Sequence, residues 1–257
     1  MASPQTPSMD YSEEKLINSR KRVRNHGEVF TPSHIVRRML DLPGINDACQ
    51  DLTKTFFEPG AGEGAFLVEI LRRKLRMVER DYGDRLDRYE NYSLLALSTL
   101  YGIELLEDNA KRCTMALYEV FNDFYRRQLQ RDNRQPKPSV KSSARLIISK
   151  NVVHGDFLTK LGPGGNPIVF SEWKVLNLDK RPITLMVQRT EYSLDEIESG
   201  TTKKPGLVLK GQIPLPFDQI EQGAALGNLQ TELKYLPCKI TSVYREEQEQ
   251  VNGQDDH

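Results

Sequence analysis

The sequence lacks any long apolar run. None of its hydrophobic stretches approaches the roughly 20 residues that cross a bilayer as a helix, and hydrophobic residues make up 38% of the 257-residue chain. The first residues, Met1–Asp10, are polar and contain proline, so they do not form the apolar core of a secretory signal. These absences exclude the usual patterns of membrane-spanning and secreted proteins. They predict a cytoplasmic protein with no membrane partner.

Cysteine is scarce, with Cys49, Cys113 and Cys238 alone in the chain. They lie far apart and follow no paired or metal-binding spacing, so the pattern supports neither a disulfide framework nor a zinc site. We therefore expect three small buried or half-buried side chains, and we predict no metal.

The chain also has no net charge, because 36 basic residues balance 36 acidic ones. Neutrality argues against a protein that coats nucleic acid nonspecifically. The charges are unevenly distributed, however, with acidic residues concentrated in the tail 246–256 and basic residues clustered in the segments 20–24, 72–76 and 126–150. Each basic cluster is either a solvated helix face or a local contact for the phosphates of DNA.

The chain divides into three predicted parts. Residues 1–29 form a polar, basic N-terminal arm, and residues 30–175 alternate between strand and helix patterns. From 176 to 257 the alternation stops, and short strand candidates lie among loops that contain proline and glycine. These candidates cover residues 183–188, 207–210 and 238–244. The last part is predicted to be an irregular β-rich extension with an acidic tail.

The central part contains several strand candidates separated by stretches with apolar residues at helical spacing. The candidates cover residues 55–57, 101–104, 146–153 and 167–170. This alternation predicts an α/β fold with a doubly wound, mostly parallel, Rossmann-like sheet. Ligands bind such sheets at the carboxyl ends of the strands.

A glycine-rich turn, Glu58-Pro59-Gly60-Ala61-Gly62-Glu63-Gly64, follows the first strand candidate. Glycine lets the backbone approach a ligand closely, because it has no side chain and tolerates left-handed angles. In dinucleotide-binding enzymes such a turn holds a pyrophosphate. Here Glu58 precedes the turn and Glu63 lies inside it, and carboxylates repel phosphates. The turn therefore favours a ligand with positive charge, although taken alone it also fits a plain tight turn.

Two further acids end the next predicted strands. Glu104 closes the second strand, where a carboxylate can accept both ribose hydroxyls of a nucleoside. Asp156 ends the third, where it can accept the exocyclic amine of adenine while Phe157 stacks on the ring. Each acid alone also fits a helix cap or a surface ion pair. Acids at successive strand ends together favour one ligand site.

Four segments, in their order, resemble the amino-terminal half of adenine-N6 DNA methyltransferases, most closely the modification subunits of restriction systems. These segments are Phe30-Thr31-Pro32, the run from Glu58 to Leu67, Gly102-Ile103-Glu104 and Gly155-Asp156-Phe157-Leu158. The resemblance implies S-adenosyl-L-methionine as the cofactor, with its methionine end at the first two segments, its ribose at the third and its adenine at the fourth. The cofactor-binding residues that it implies are Thr31, Glu58, Gly60, Gly62, Glu104, Asp156 and Phe157.

The family's catalytic tetrapeptide, Asn-Pro-Pro-Tyr or a near variant, is absent from the sequence. In the family its polar atoms accept hydrogen bonds from the target amine, and its ring stacks on the flipped base. Here Ser171-Glu172-Trp173 stands where a fourth parallel strand is expected to end. A serine or glutamate oxygen can accept from an amine and an indole can stack on a base, so Ser171, Glu172 and Trp173 are the predicted catalytic residues. The alternative is that Trp173 belongs to the core or to an interface.

The resemblance predicts an enzyme that transfers a methyl group from S-adenosyl-L-methionine to the N6 amine of a flipped adenine in DNA. The absent tetrapeptide keeps two alternatives open. One is a catalytically degenerate accessory subunit that retains the cofactor, and the other is a partial enzyme completed by another chain. The predicted protein partners are a specificity, restriction or second methyltransferase subunit.

Overall fold

The computed structural model describes residue 24 and residues 29–180, 182–209 and 232–251. The predicted basic arm lies almost entirely outside these ranges, as does the end of the acidic tail. The strands are β1 (Phe56–Glu58), β2 (Leu100–Glu104), β3 (Val152–His154), β4 (Val169–Val175), β5 (Met186–Ser193), β6 (Glu232–Tyr235), β7 (Cys238–Lys239) and β8 (Gln248–Val251). The helices are α1 (Ser33–Leu40), α2 (Ile45–Ala48), α3 (Ala65–Tyr82), α4 (Leu86–Ser98), α5 (Glu107–Arg131), α6 (Pro138–Asn151) and α7 (Leu194–Glu198). Among the residues described, no helix combines the length and apolarity needed to span a membrane.

β1, β2 and β3 form a parallel sheet in the order β1-β2-β3. Glu58 pairs with Gly102 and Glu104 pairs with His154, so the carboxyl ends of the three strands lie side by side. Helices lie between successive strands in the chain, because parallel neighbours need crossover connections. The mixed α/β class with a parallel sheet is therefore confirmed.

The third strand is shorter than the sequence predicted. Residues 146–151 belong to helix α6, and the strand itself is Val152–His154. The buried residues Val140, Ala144 and Ile148 recur at helical spacing and pack into the core. The strand prediction was wrong for residues 146–151 because a short apolar run fits either element. The buried stripe that begins at Val140, before the predicted strand, favours the helix over the strand.

Side chains of the parallel sheet alternate between its two faces. One face bears Phe56 and Leu100, which join the helices in the main core. The other face bears Tyr101 and Ile103, which pack against residues from the later elements. Those residues are Ile168, Phe170 and Leu194. The sheet thus has helices on one face and a smaller apolar cluster on the other.

The fourth strand does not join the parallel sheet. β4 pairs antiparallel with β5 along its whole length, from Val169 opposite Ser193 to Val175 opposite Val187. The prediction of a fourth parallel strand is therefore wrong. The link 176–185 between β4 and β5 is shorter than the dozen or more residues of a parallel crossover, so these two strands pair antiparallel. No described strand pairs with the outer edge of β1, so a doubly wound sheet is not confirmed.

The described chain after β4 contains strands, one short α-helix and 3-10 turns, and the predicted β-rich extension stays a prediction. β5 also pairs antiparallel with β7, and β6 pairs antiparallel with β8. The predicted strand over residues 238–244 is largely wrong, because β7 has 2 residues and Ile240–Arg245 is a 3-10 helix. The predicted domain boundary at residue 175 stays a prediction.

A buried lysine holds the loop that leads into β1. Lys74 of α3 is fully buried, and its ammonium donates to the carbonyls of Asp51 (2.6 Å) and Lys54 (2.9 Å). Burial lowers the pKa of Lys74 to about 8. The contact fixes the start of the strand that carries the glycine turn.

Candidate functional site

The glycine turn begins where β1 ends, and its backbone is left-handed at two positions. Gly62 has a φ of +54° and Gly64 a φ of +92°, which glycine adopts more readily than other residues. A Cβ on Gly64 would lie 2.7 Å from Sγ of Cys113, so the turn packs directly against α5. Gly60 has open space where a Cβ would stand, which leaves its backbone accessible to a ligand.

The carboxylate of Glu104, at the end of β2, ties this turn to α5. Its Oε2 accepts from the backbone N–H of Gly62 (2.7 Å), while Oε1 accepts from the N–H of Leu106 (3.0 Å) and the amide of Asn109 (3.4 Å). Glu104 is 7% exposed. A carboxylate offers about four acceptor positions, so one remains for a ligand. The sequence left open a ligand contact or a helix cap for this acid, and its bonds to Leu106 and Asn109 tie it to the start of a helix.

The segment after β3 brings Asp156 and Phe157 to the same edge of the sheet. The N–H of Gly155 donates to the carbonyl of Glu104 (3.0 Å), which fixes the segment beside β2. Oδ1 of Asp156 accepts from the N–H of Leu158 (2.9 Å). The ring of Phe157 lies 5.9 Å from that of Phe57, centroid to centroid. Among the described residues no hydrogen-bond donor occupies Oδ2 of Asp156, which can therefore accept from a ligand.

The turn and the two strand ends enclose one cavity of about 420 Å³. It lies at the carboxyl edge of the parallel strands, where α/β proteins bind ligands. Five of the seven predicted cofactor-binding residues line it, namely Gly60, Gly62, Glu104, Asp156 and Phe157. Leu106 and Asn109 also line the cavity, and the sequence analysis missed them. Their position just after the strand-ending acid, at the start of a helix, was the available signal.

The other two predicted cofactor residues, Thr31 and Glu58, are sequence neighbours of the lining residues Phe30 and Pro59 but do not line the cavity. Both are half-buried. Burial raises the pKa of the Glu58 carboxyl, and a hydrogen bond from the N–H of Gly60 opposes that rise.

Glu63, the second acid of the turn, is paired with α5. Its Oε1 accepts from Nη1 of Arg112 (2.9 Å), and Glu63 does not line the cavity. Because Arg112 pairs with Glu63, the repulsion of phosphates expected of both turn acids falls to Glu58.

The predicted catalytic residues Ser171, Glu172 and Trp173 do not reach this cavity, because they lie within β4 rather than beyond a parallel strand. Ser171 is 1% exposed, and its Oγ accepts from Nε of Arg189 (2.9 Å). Trp173 is 6% exposed, and its indole N–H donates to Oδ1 of Asn151 (2.9 Å). Trp173 therefore lies in the main core, which agrees with the alternative interpretation of this residue.

Glu172 is exposed and lines a separate cavity of about 470 Å³, together with Phe57 and Tyr101. That cavity lies against the second face of the parallel sheet, next to the small apolar cluster. It shares no lining residue with the cavity at the glycine turn.

Comparisons with protein-family models, with curated proteins and with solved structures found no match. Within the described ranges, no three histidine, cysteine or acidic side chains come together as metal ligands would. The site therefore has to be interpreted from its own geometry and from the resemblance of its motifs.

Proposed function

We propose that the chain binds S-adenosyl-L-methionine as part of a DNA adenine-N6 methyltransferase of the restriction-modification type. One observation carries the proposal: the glycine turn and the acids after β2 and β3 line the same cavity at the carboxyl edge of the parallel sheet. The resemblance of the sequence assigns these residues to one cofactor. The three parallel strands would then be one half of a Rossmann-like sheet.

The polar groups of the cavity suit the parts of this cofactor. Glu104 has an acceptor position for the ribose, and Oδ2 of Asp156 can accept from the adenine amine while Phe157 stacks on the ring. Gly60 leaves room for the methionine end, and the nearby carboxylate of Glu58 favours its positive charges. The cavity would contribute to methyl transfer by holding and orienting the cofactor.

A second candidate, a partial enzyme completed by another chain, is favoured by the position of β4. Transfer to N6 needs an acceptor for the target amine and a stacking surface beside the cofactor. Ser171 and Trp173 are buried with their polar atoms occupied, and Glu172 lines the other cavity. We therefore propose that a partner chain supplies the target-base residues. A second methyltransferase subunit or a specificity subunit fits that role.

Calorimetric titration of the full chain with S-adenosyl-L-methionine tests the first step. We expect saturable binding that weakens by roughly one decade or more in Asp156→Ala, because a hydrogen bond to a carboxylate contributes about 1.5 to 3 kcal/mol. Glu119→Gln, on the exposed side of α5, serves as the control and should bind like the parent chain. A folded parent chain that does not bind the cofactor would contradict the proposal.

Transfer of a labelled methyl group to DNA of mixed sequence separates the two candidates. A complete enzyme labels DNA alone, whereas a partial enzyme labels it after a partner subunit is added. Labelling by the isolated chain would exclude the partial enzyme.

A further inference from the structure

Two of the basic clusters in the sequence fall within the described residues, and they differ in kind. In the cluster 72–76, Arg73 pairs with Asp41 (2.8 Å) and Lys74 is fully buried, so these two cations belong to the core. The cluster 126–150 lies on the last turns of α5, the following link and α6. Residues 121–150 hold eight basic and two acidic side chains, a net charge of 8 − 2 = +6 in a chain whose total is zero.

The two acids of this segment do not neutralise it, although Glu90 and Glu246 from other parts of the chain pair with Lys137 and Lys150. Asp123 pairs with Arg126. Asp132 accepts from the amide of Gln128 (2.8 Å) and from Arg131 (3.3 Å). Arg134 and Lys141 form no ion pair with any described carboxylate. Their charges are therefore available to an anionic ligand.

These cations surround a cavity of about 350 Å³ at the bend between α5 and α6, which we call the α5–α6 cleft. Its basic lining residues are Arg126, Arg134 and Lys141. Amide side chains interleave with them, including Gln130, Asn133 and Gln135. No carboxylate lines the cleft. Guanidinium, ammonium and amide groups are the donors that proteins direct at phosphate oxygens.

The surroundings of the cleft favour a nucleic acid over a membrane or an apolar protein surface. No large hydrophobic side chain between residues 121 and 150 is among the exposed ones in the described chain. The cleft is also distinct from the cofactor cavity. Asn109 lines that cavity and Arg126 lines the cleft, and 17 helical residues place them roughly 25 Å apart along α5.

We propose that the α5–α6 cleft binds backbone phosphates of duplex DNA, with Arg134 and Lys141 as the principal contacts. The inference rests on the proposed function, because it takes DNA as the substrate. It adds a docking surface that the sequence resemblance does not assign. Since phosphate contacts position a duplex without reading its sequence, binding here is expected to be independent of base sequence.

Fluorescence anisotropy of the full chain with a labelled duplex of about 20 base pairs, measured across a salt series, tests this surface. In the double variant Arg134→Gln/Lys141→Gln, we expect binding to weaken roughly ten- to thirtyfold near 0.15 M salt and the salt slope to fall by about two. The affinity for S-adenosyl-L-methionine should stay unchanged, because neither residue lines the cofactor cavity.

Lys174→Gln/Lys239→Gln is the matched control, since it removes two exposed charges from β4 and β7. Equal loss in both double variants would mean that bulk charge alone matters and would overturn the inference. It would also be overturned if the parent chain bound inorganic phosphate or anionic lipid vesicles at this cleft but no DNA. Cofactor binding measured on the same preparations distinguishes these outcomes from failure of the proposed function.

Discussion

The parallel sheet and the antiparallel β4–β5 ribbon each contain a buried acid, and the two acids have different surroundings. Glu104 is 7% exposed and Glu191 is 8% exposed, and each accepts three hydrogen bonds. The partners of Glu104 are neutral N–H groups, and the acid lines a cavity. Glu191 accepts from the guanidinium of Arg189 (2.7 Å), which is itself buried. The difference is that Arg189 neutralises the acid of the ribbon, whereas the described partners of Glu104 are uncharged and leave its negative charge facing the cavity.

The largest expected effect concerns the ribbon. Trp173→Ala removes a buried ring and leaves Oδ1 of Asn151 without its donor, so the free energy of unfolding should fall by about 3 to 5 kcal/mol. Urea unfolding followed by circular dichroism measures it. Glu172→Ala, at the exposed neighbouring position, should change stability by less than about 0.5 kcal/mol. A folded Trp173→Ala chain that lost methyl transfer alone would restore the catalytic interpretation of this residue.

A second prediction uses pH to test the region of the parallel sheet. Burial lowers the pKa of Lys74 to about 8 in the folded chain, against 10.5 when unperturbed. Between these values the unfolded chain binds the proton and the folded chain does not, so stability rises with pH. Below about pH 8 the folded chain therefore bears the full cost of burying the Lys74 charge. That cost falls as the pH rises from about 8 to 10.5.

Relative to Lys74→Met, the parent chain should gain up to about 3 kcal/mol of unfolding free energy across that window. Urea unfolding at several pH values checks this difference, with Lys54→Met, an exposed lysine, as the control. If the difference in unfolding free energy between the parent chain and Lys74→Met does not change with pH, the pKa of Lys74 is not lowered by burial.

The third prediction compares the two acids directly. Glu104→Ala should weaken binding of S-adenosyl-L-methionine by roughly one to two decades, because charge-assisted hydrogen bonds contribute about 1.5 to 3 kcal/mol. Glu191→Ala should destabilise the ribbon and leave cofactor affinity unchanged in the folded fraction. Calorimetry on both variants, each checked for folding, measures the contrast. Equal losses of cofactor affinity would mean that Glu104 acts through the fold.

The site was predictable from the sequence where its residues follow one another locally. The glycine turn and the acids at strand ends depend on short segments, and five of the predicted residues line one cavity. The fourth strand was not predictable in this way, because strand pairing depends on residues distant in the chain. A signal was present in Glu172-Trp173-Lys174, where an apolar residue stands between two charged ones. That alternation is typical of an antiparallel strand with one solvated face.

Helix α5 starts beside the carboxylate of Glu104 and, over 25 residues, extends to the α5–α6 cleft. A ribose that takes the open acceptor position on Oε2 of Glu104 would bind the same carboxylate that holds Leu106 and Asn109 at the start of this helix. The first turn of α5 thus lines the proposed cofactor site, and its last turns line the proposed DNA site. If both ligands bind, any shift of the helix that one of them favours is a heterotropic linkage, and thermodynamic reciprocity then requires each ligand to alter the affinity of the other by the same factor.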